Sequence, residues 1–148
     1  MLTKKIPLVL FFVFVVGAGI VIAGSNDYSV KDFNRLLQGD KNMSCARLEG
    51  ADLHGKDLSG VDFSNADLEH ANFSGANLSG ANLSHADLEK VNFKGANLTN
   101  VNFFHADLEE ANLKGATITG ASFKDAELEY AIWTDGRVCA EGSIGGCW

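Results

Sequence analysis

The stretch ADLEHANFSGANLSGANLSH, residues 66–85, sets Leu68, Phe73, Leu78 and Leu83 five residues apart. Neither regular backbone explains that period. In a strand an odd step sends successive side chains to opposite faces. In an α-helix at about 100° per residue a five-residue step turns them by about 140° and scatters them around the cylinder. One buried face results only if the chain turns a corner every five residues, so that each Leu or Phe again points inward.

The pattern extends in both directions. Between residues 46 and 135 the chain divides into eighteen five-residue units without an insertion. Their central positions are eleven Leu, five Phe, Ile118 and Trp133, and the position two before each centre is Ala fourteen times, Val three times and Lys56 once. A large and a small side chain thus face inward in every unit, and the other three positions are mostly polar. Lys56 puts a charge in the small inward slot, where its ammonium must snorkel outward or distort the coil. A longer period lies over the short one: ARLE at 46, ADLE at 66, 86 and 106, and AELE at 126 recur every twenty residues. Four units therefore close one coil and the fifth lies above the first. Repeat architectures build in this way a core that no single unit could bury.

The A-[D/N]-[L/F]-x-x units resemble those of the pentapeptide-repeat family, over residues 46–135. The resemblance implies an all-β fold, a right-handed quadrilateral β-helix with the central Leu or Phe and the preceding Ala inside. At about 4.8 Å per coil, about 4.5 coils make a rod roughly 20 Å long. It implies a scaffold and no particular function, which has to be argued from sites.

The flanks differ from the repeats. Residues 1–23 carry Lys4 and Lys5, an apolar run over 6–23 and then a polar GSNDYS, the pattern of a secretory signal peptide cut before Gly24. The run also just reaches the length of an uncleaved anchor. Either reading keeps the lysines inside and places the rest outside the cytoplasm, periplasmic or held at the inner membrane. Cleavage removes two positive charges, so the net charge of -7 becomes -9, which disfavours a nucleic-acid ligand. Residues 24–45 form an N-terminal cap, with a helix in which Val30, Phe33, Leu36 and Leu37 share a face, Ser29 and Asp32 form a capping box and Gly39 ends the helix. Residues 136–148 form a C-terminal cap similar to the cysteine-bearing tail of exported proteobacterial family members.

On a rod of that shape Cys45 lies before the first coil, while Cys139 and Cys147 both follow the last. Cα atoms must come within about 7 Å for a disulfide, so Cys139 pairs with Cys147. Family members of this type often carry a cysteine pair before the first coil, and here only Cys45 stands there. It is expected as a buried, inert thiol, with an intermolecular bridge as the alternative.

The twenty-residue period also sorts charge. Asp67, Asp87, Asp107 and Glu127 precede the central leucines of one face, and Glu49, Glu69, Glu89, Glu109 and Glu129 follow them. Stacked carboxylates repel by roughly 1 kcal/mol per pair in water before screening. This acidic face is a candidate surface for a cation or a basic protein, or it is a solvated face that keeps the rod soluble. At one corner Asn65, His85, His105 and Asp125 share a register. His85 and His105, with Asp125 or the neighbouring Asp107, form a candidate open metal site.

No cofactor is implied. The four histidines, His54, His70, His85 and His105, sit at outward positions without a Ser or Cys nucleophile at matching spacing, and no phosphate loop occurs, so the chain reads as non-enzymatic. Cytosolic family members resemble a DNA duplex in shape and charge and bind DNA gyrase. As an alternative function, inhibition of a cytosolic DNA enzyme by such mimicry is opposed by the leader, the short rod and the absence of a C-terminal dimerisation helix.

Overall fold

The computed structural model describes residues 29–148 together with the backbone of two strands, β1 (Val13–Val15) and β2 (Ile20–Ile22), which pair antiparallel. The expected leader falls largely outside the described residues. Among those described, no helix is long and apolar enough to cross a membrane.

From Asn42 onward the backbone climbs by parallel bridges between residues twenty apart, beginning with Asn42↔Asp62 and Arg47↔Asp67 and reaching Asn112↔Ile132. Four units separate bridged partners, so the units stack in four columns, headed by the units that start at 46, 51, 56 and 41. Each bridge is a single residue rather than an extended strand. The reason is the turn that follows it: the N–H of each unit's first residue donates to the carbonyl of the previous central residue, as from Ala51 to Leu48 at 3.0 Å and from Ala71 to Leu68 at 2.9 Å. The third residue of that turn has positive φ in every unit from Cys45 to Tyr130, lying between 54° and 58° at the ten non-glycine positions. None of these corner residues is β-branched, as expected where a second branch at Cβ would clash with the backbone. At Gly120 an added Cβ would lie 2.2 Å from Oδ1 of Asn100 one coil below, so a side chain there would require the Asn100 side chain to move.

The central residues fill the interior. Phe63, Phe73, Phe93 and Phe103 are fully buried, and their rings form a continuous series that runs through Phe123 to Trp133 with centroid separations from 4.8 to 6.1 Å. Lys56 resolves its conflict by snorkelling: it is exposed, and its backbone keeps the ladder, with its carbonyl accepting from Asn77 at 2.9 Å.

The lower end is closed by α1 (Val30–Leu37). Phe33 and Leu36 are buried against the first coil, while Val30 and Leu37, expected on the same face, are exposed. Ser29 caps the helix by accepting the Asp32 N–H, but the box is only half formed. The Ser29 N–H goes instead to the Arg47 carbonyl at 2.8 Å, and the Asp32 carboxylate accepts the Arg47 N–H at 3.3 Å. The helix start thereby substitutes for a missing coil beneath Arg47. After the helix, Gly39 takes φ +87°, and the Asp40 N–H reaches back to the Arg35 carbonyl, the bonding of a glycine-terminated helix.

Two boundaries shift from the sequence reading. The ladder begins one unit before residue 46, with Lys41–Cys45 as its first unit and Met43 buried as its centre. In that unit Cys45 is the positive-φ corner, where side chains point to solvent, so its thiol is exposed rather than buried. At the upper end the chain reverses after Trp133 and runs antiparallel over two columns through Ile132↔Val138 and Glu127↔Ile144. The Cys139–Cys147 disulfide, with Cα atoms 4.8 Å apart, ties this tail together.

Phe93 stacks on Phe73 at 5.4 Å and meets Phe103 edge-on at 5.9 Å. Phe93→Ala is expected to cost about 3 to 5 kcal/mol through the cavity it leaves, measured by equilibrium chemical denaturation. Unchanged stability would refute the inward assignment of the central positions.

Candidate functional site

The residue before each centre carries the local chemistry. Where it is Asn or Asp, its Oδ1 at all positions but Asp67 accepts the N–H two residues on and steadies the turn, as from Ser74 to Asn72 and from Ser79 to Asn77. An Asn also has an amide to spend, and six of them donate it to the equivalent side chain one coil below. In the second column Asn92 donates to Asn72 and Asn72 to Asp52, in the third Asn97 to Asn77 and Asn77 to Asp57, and in the fourth Asn102 to Asn82 and Asn82 to Asp62, all at 3.0 or 3.1 Å.

Each series ends below on a carboxylate, which accepts without needing a donor of its own. The pKa values of those aspartates reflect it. Burial pushes Asp52 up, but bonds from the His54 ring and amide and from Asn72 hold it below the ordinary value. The Ser59 amide leads in lowering Asp57, and the Ser64 amide in lowering Asp62, each helped by the Asn above.

The first column is different. Its register positions are Arg47, Asp67, Asp87, Asp107 and Glu127, bridged in that order. Asp87 and Asp107 accept the amides of Glu89 and Glu109, so the turns are kept, but no side-chain amide links one coil to the next. Beside them Glu69, Glu89, Glu109 and Glu129 are half-buried and stacked by their backbone bonds, the His70 N–H donating to the Glu89 carbonyl and the Lys90 N–H to that of Glu109. Glu49 precedes them in the same register, its neighbour Gly50 donating to the Glu69 carbonyl. The acidic face of the sequence reading is therefore one continuous surface. It also has a rim the sequence reading omitted: His70 reaches Glu69 at 3.1 Å, Lys90 pairs with Glu89 and lies 3.9 Å from Glu110, and Arg47 stands at the base. Burial, followed by the charges of Glu129, Asp107, Glu89 and Glu110, pushes the Glu109 carboxyl above its ordinary value.

At the candidate metal corner the described residues form no three-ligand cluster. His85, His105 and Asp125 do share a corner, but the two imidazoles stack with centroids 5.3 Å apart and planes 24° from parallel, so their ring nitrogens do not converge on one point. Asp125 approaches His105 only to 4.0 Å, and no group of three His, Cys, Asp or Glu able to hold a metal exists among the described residues. Phe104 and Lys124, which the sequence reading passed over, complete that corner: the Phe104 ring lies edge-on to both imidazoles and Lys124 sits over it. Phe104 is the one aromatic residue in the position just after a centre, a signal that was available.

Asp87→Asn would supply the missing amide, with Asp67 below it as acceptor, and would remove one repelling charge. It is expected to raise the melting temperature, and a clear fall would show that the acidic column is held by a partner interaction within the chain. The pH dependence of Glu109 has the opposite sign to that of the three basal aspartates. A carboxyl whose pKa is raised on folding binds its proton more tightly in the folded chain, so its contribution is favourable at low pH and lost as pH rises through the raised value. Glu109→Gln should therefore stabilise the protein at pH 7 and have no such effect near pH 3, as read by thermal melts at both values.

A family model for pentapeptide repeats matches residues 42–80, 57–95 and 96–132, in eight copies. No curated protein matches the sequence. Among solved structures, HetL from the cyanobacterium Nostoc sp. strain PCC 7120, a pentapeptide repeat protein involved in regulation of heterocyst differentiation, is 40% identical with a TM-score of 0.63, covering 66% of this chain and 46% of its own. A pentapeptide repeat protein of the Arabidopsis thaliana thylakoid lumen is 30% identical with a TM-score of 0.36 over 67% of this chain and 81% of its own. QnrB1, a plasmid-mediated fluoroquinolone resistance protein, is 26% identical with a TM-score of 0.40 over 61% and 52%. The chain thus spans less than half the length of HetL. With the repeat matched from residue 42 to residue 132 and stacked at a twenty-residue interval, the chain belongs to the pentapeptide repeat family of right-handed β-helices.

Proposed function

We propose that the protein is an exported, non-enzymatic scaffold, a four-sided rod whose first column is a docking surface for a basic protein segment or a cation. The observation that carries this reading is the contrast between columns. Three of them join successive coils by side-chain amides, and the first keeps stacked Asp67, Asp87 and Asp107 where Asn would be more stable. Places where a sequence forgoes a stabilising local choice are where function is expected to reside. A fixed row of carboxylates also repeats at about 4.8 Å, a spacing onto which an extended basic segment can lay successive charges. The charged leader followed by an apolar run supports export to the periplasm or its membrane face.

The test is photo-crosslinking in living cells from a probe at Thr119, in the third column, and from one at Glu129, in the first, together with cell fractionation. Capture of a basic partner from Glu129 alone, abolished by joint Glu69→Gln, Glu89→Gln and Glu109→Gln, is the expected result. Equal capture from both probes would reduce the acidic face to solvated surface. A cytosolic chain retaining Met1 or Leu2 would instead favour mimicry of a nucleic acid toward a cytosolic enzyme.

A further inference from the structure

The repeat writes the tripeptide Asn-x-Ser/Thr, the acceptor for N-linked glycans, five times: at Asn42, Asn72, Asn77, Asn82 and Asn97. Structure separates one of them from the other four. The amide nitrogens of Asn72, Asn77, Asn82 and Asn97 each donate to the coil below. Their backbones are also bonded on both sides; the Asn77 N–H goes down to Lys56 while its carbonyl accepts from Leu58, and Leu78 bonds up to Asn97. A modifying enzyme would have to pull a whole coil out of the ladder to reach any of them.

Asn42 stands in the first unit, where no coil lies beneath. Its side chain is exposed, and among the described residues its amide nitrogen has no partner. The Asn42 Oδ1 accepts both the Ser44 N–H and the Ser44 hydroxyl, the latter at 2.8 Å, so the acceptor amide and the hydroxyl of the tripeptide are already together. On its lower side the backbone is served only by side chains: the Asp40 carboxylate accepts the Asn42 N–H, and Arg35 donates to the Asn42 carbonyl. These contacts can be exchanged without disturbing the core.

We propose that Asn42 is the single N-glycan acceptor of the folded protein. In the transfer, Nδ2 of Asn42 attacks the anomeric carbon of a lipid-pyrophosphate-linked oligosaccharide. A carbon–nitrogen bond forms, the anomeric carbon–oxygen bond breaks with its electrons leaving on the lipid pyrophosphate, and the amide nitrogen releases one proton. In the cell the reaction rests on the export reading, because the enzyme acts outside the cytoplasm. The chemistry of the site does not, so it is tested apart from localisation.

The experiment incubates the folded full-length chain with a purified oligosaccharyltransferase and its lipid-pyrophosphate-linked oligosaccharide, beside a peptide covering residues 38–46 and peptides around the other four asparagines. Intact mass and peptide mapping are expected to show one glycan per folded chain, on Asn42, and none in Asn42→Gln or Ser44→Ala. The free peptides are expected to be poorly discriminated. Three results would overturn the proposal: an unmodified folded chain when the 38–46 peptide is modified, failure of that peptide while others are modified, or a glycan on Asn72, Asn77, Asn82 or Asn97 of the folded chain.

Discussion

The positive-φ corner is the constraint on which everything else depends. It returns the chain inward every five residues, which puts the central Leu or Phe inside. It also limits each straight segment to so few residues that the backbone of one coil must find its hydrogen bonds in the coils above and below. Ten non-glycine residues hold this conformation, each at a conformational cost that the stacked ladder has to offset. The same geometry turns the corner side chains to solvent. Cys45, His70, His85 and Lys90 are therefore all surface groups whatever their chemistry.

Next in rank is the position before the centre, where the backbone demand for a turn acceptor meets an opportunity for contact between coils. Asn meets both, and Asp meets only the first. The alternation of these two residues is thus the point at which a structural pattern becomes a chemical one. Where amides run from coil to coil the surface is neutral and cross-linked; where carboxylates stack, it is charged and pushes against itself, with Lys90, His70 and Arg47 as partial counterweights.

The sequence made the inward positions and the twenty-residue register legible because both rest on side-chain size recurring at fixed intervals. What it hid followed from backbone geometry. The period starting at Ala46 concealed the Lys41–Cys45 unit, because Lys41 stands where Ala is usual and Met43 where Leu or Phe is. The exposure of Cys45 followed from that omission. At the histidine corner the register was legible, but not that the two rings in successive coils would lie nearly parallel, with centroids 5.3 Å apart. The Ser29 and Asp32 pattern signalled a helix start correctly, yet Asp32 turned outward to Arg47 because the first coil offered a bare amide that no other group could meet.

The side-chain amides all donate in one direction, toward the helix-capped end, and stop on Asp52, Asp57 and Asp62. The rod is consequently polar in the way a polymer with distinct ends is polar. Twenty residues could be duplicated in its middle with every donor still meeting an acceptor. A coil added beneath Asp52 and Asp57 would meet carboxylates with no proton to give, as Asn42 already does beneath Asp62. Lengthening by internal duplication is therefore open to this chain from the interior upward, and its base is a fixed origin.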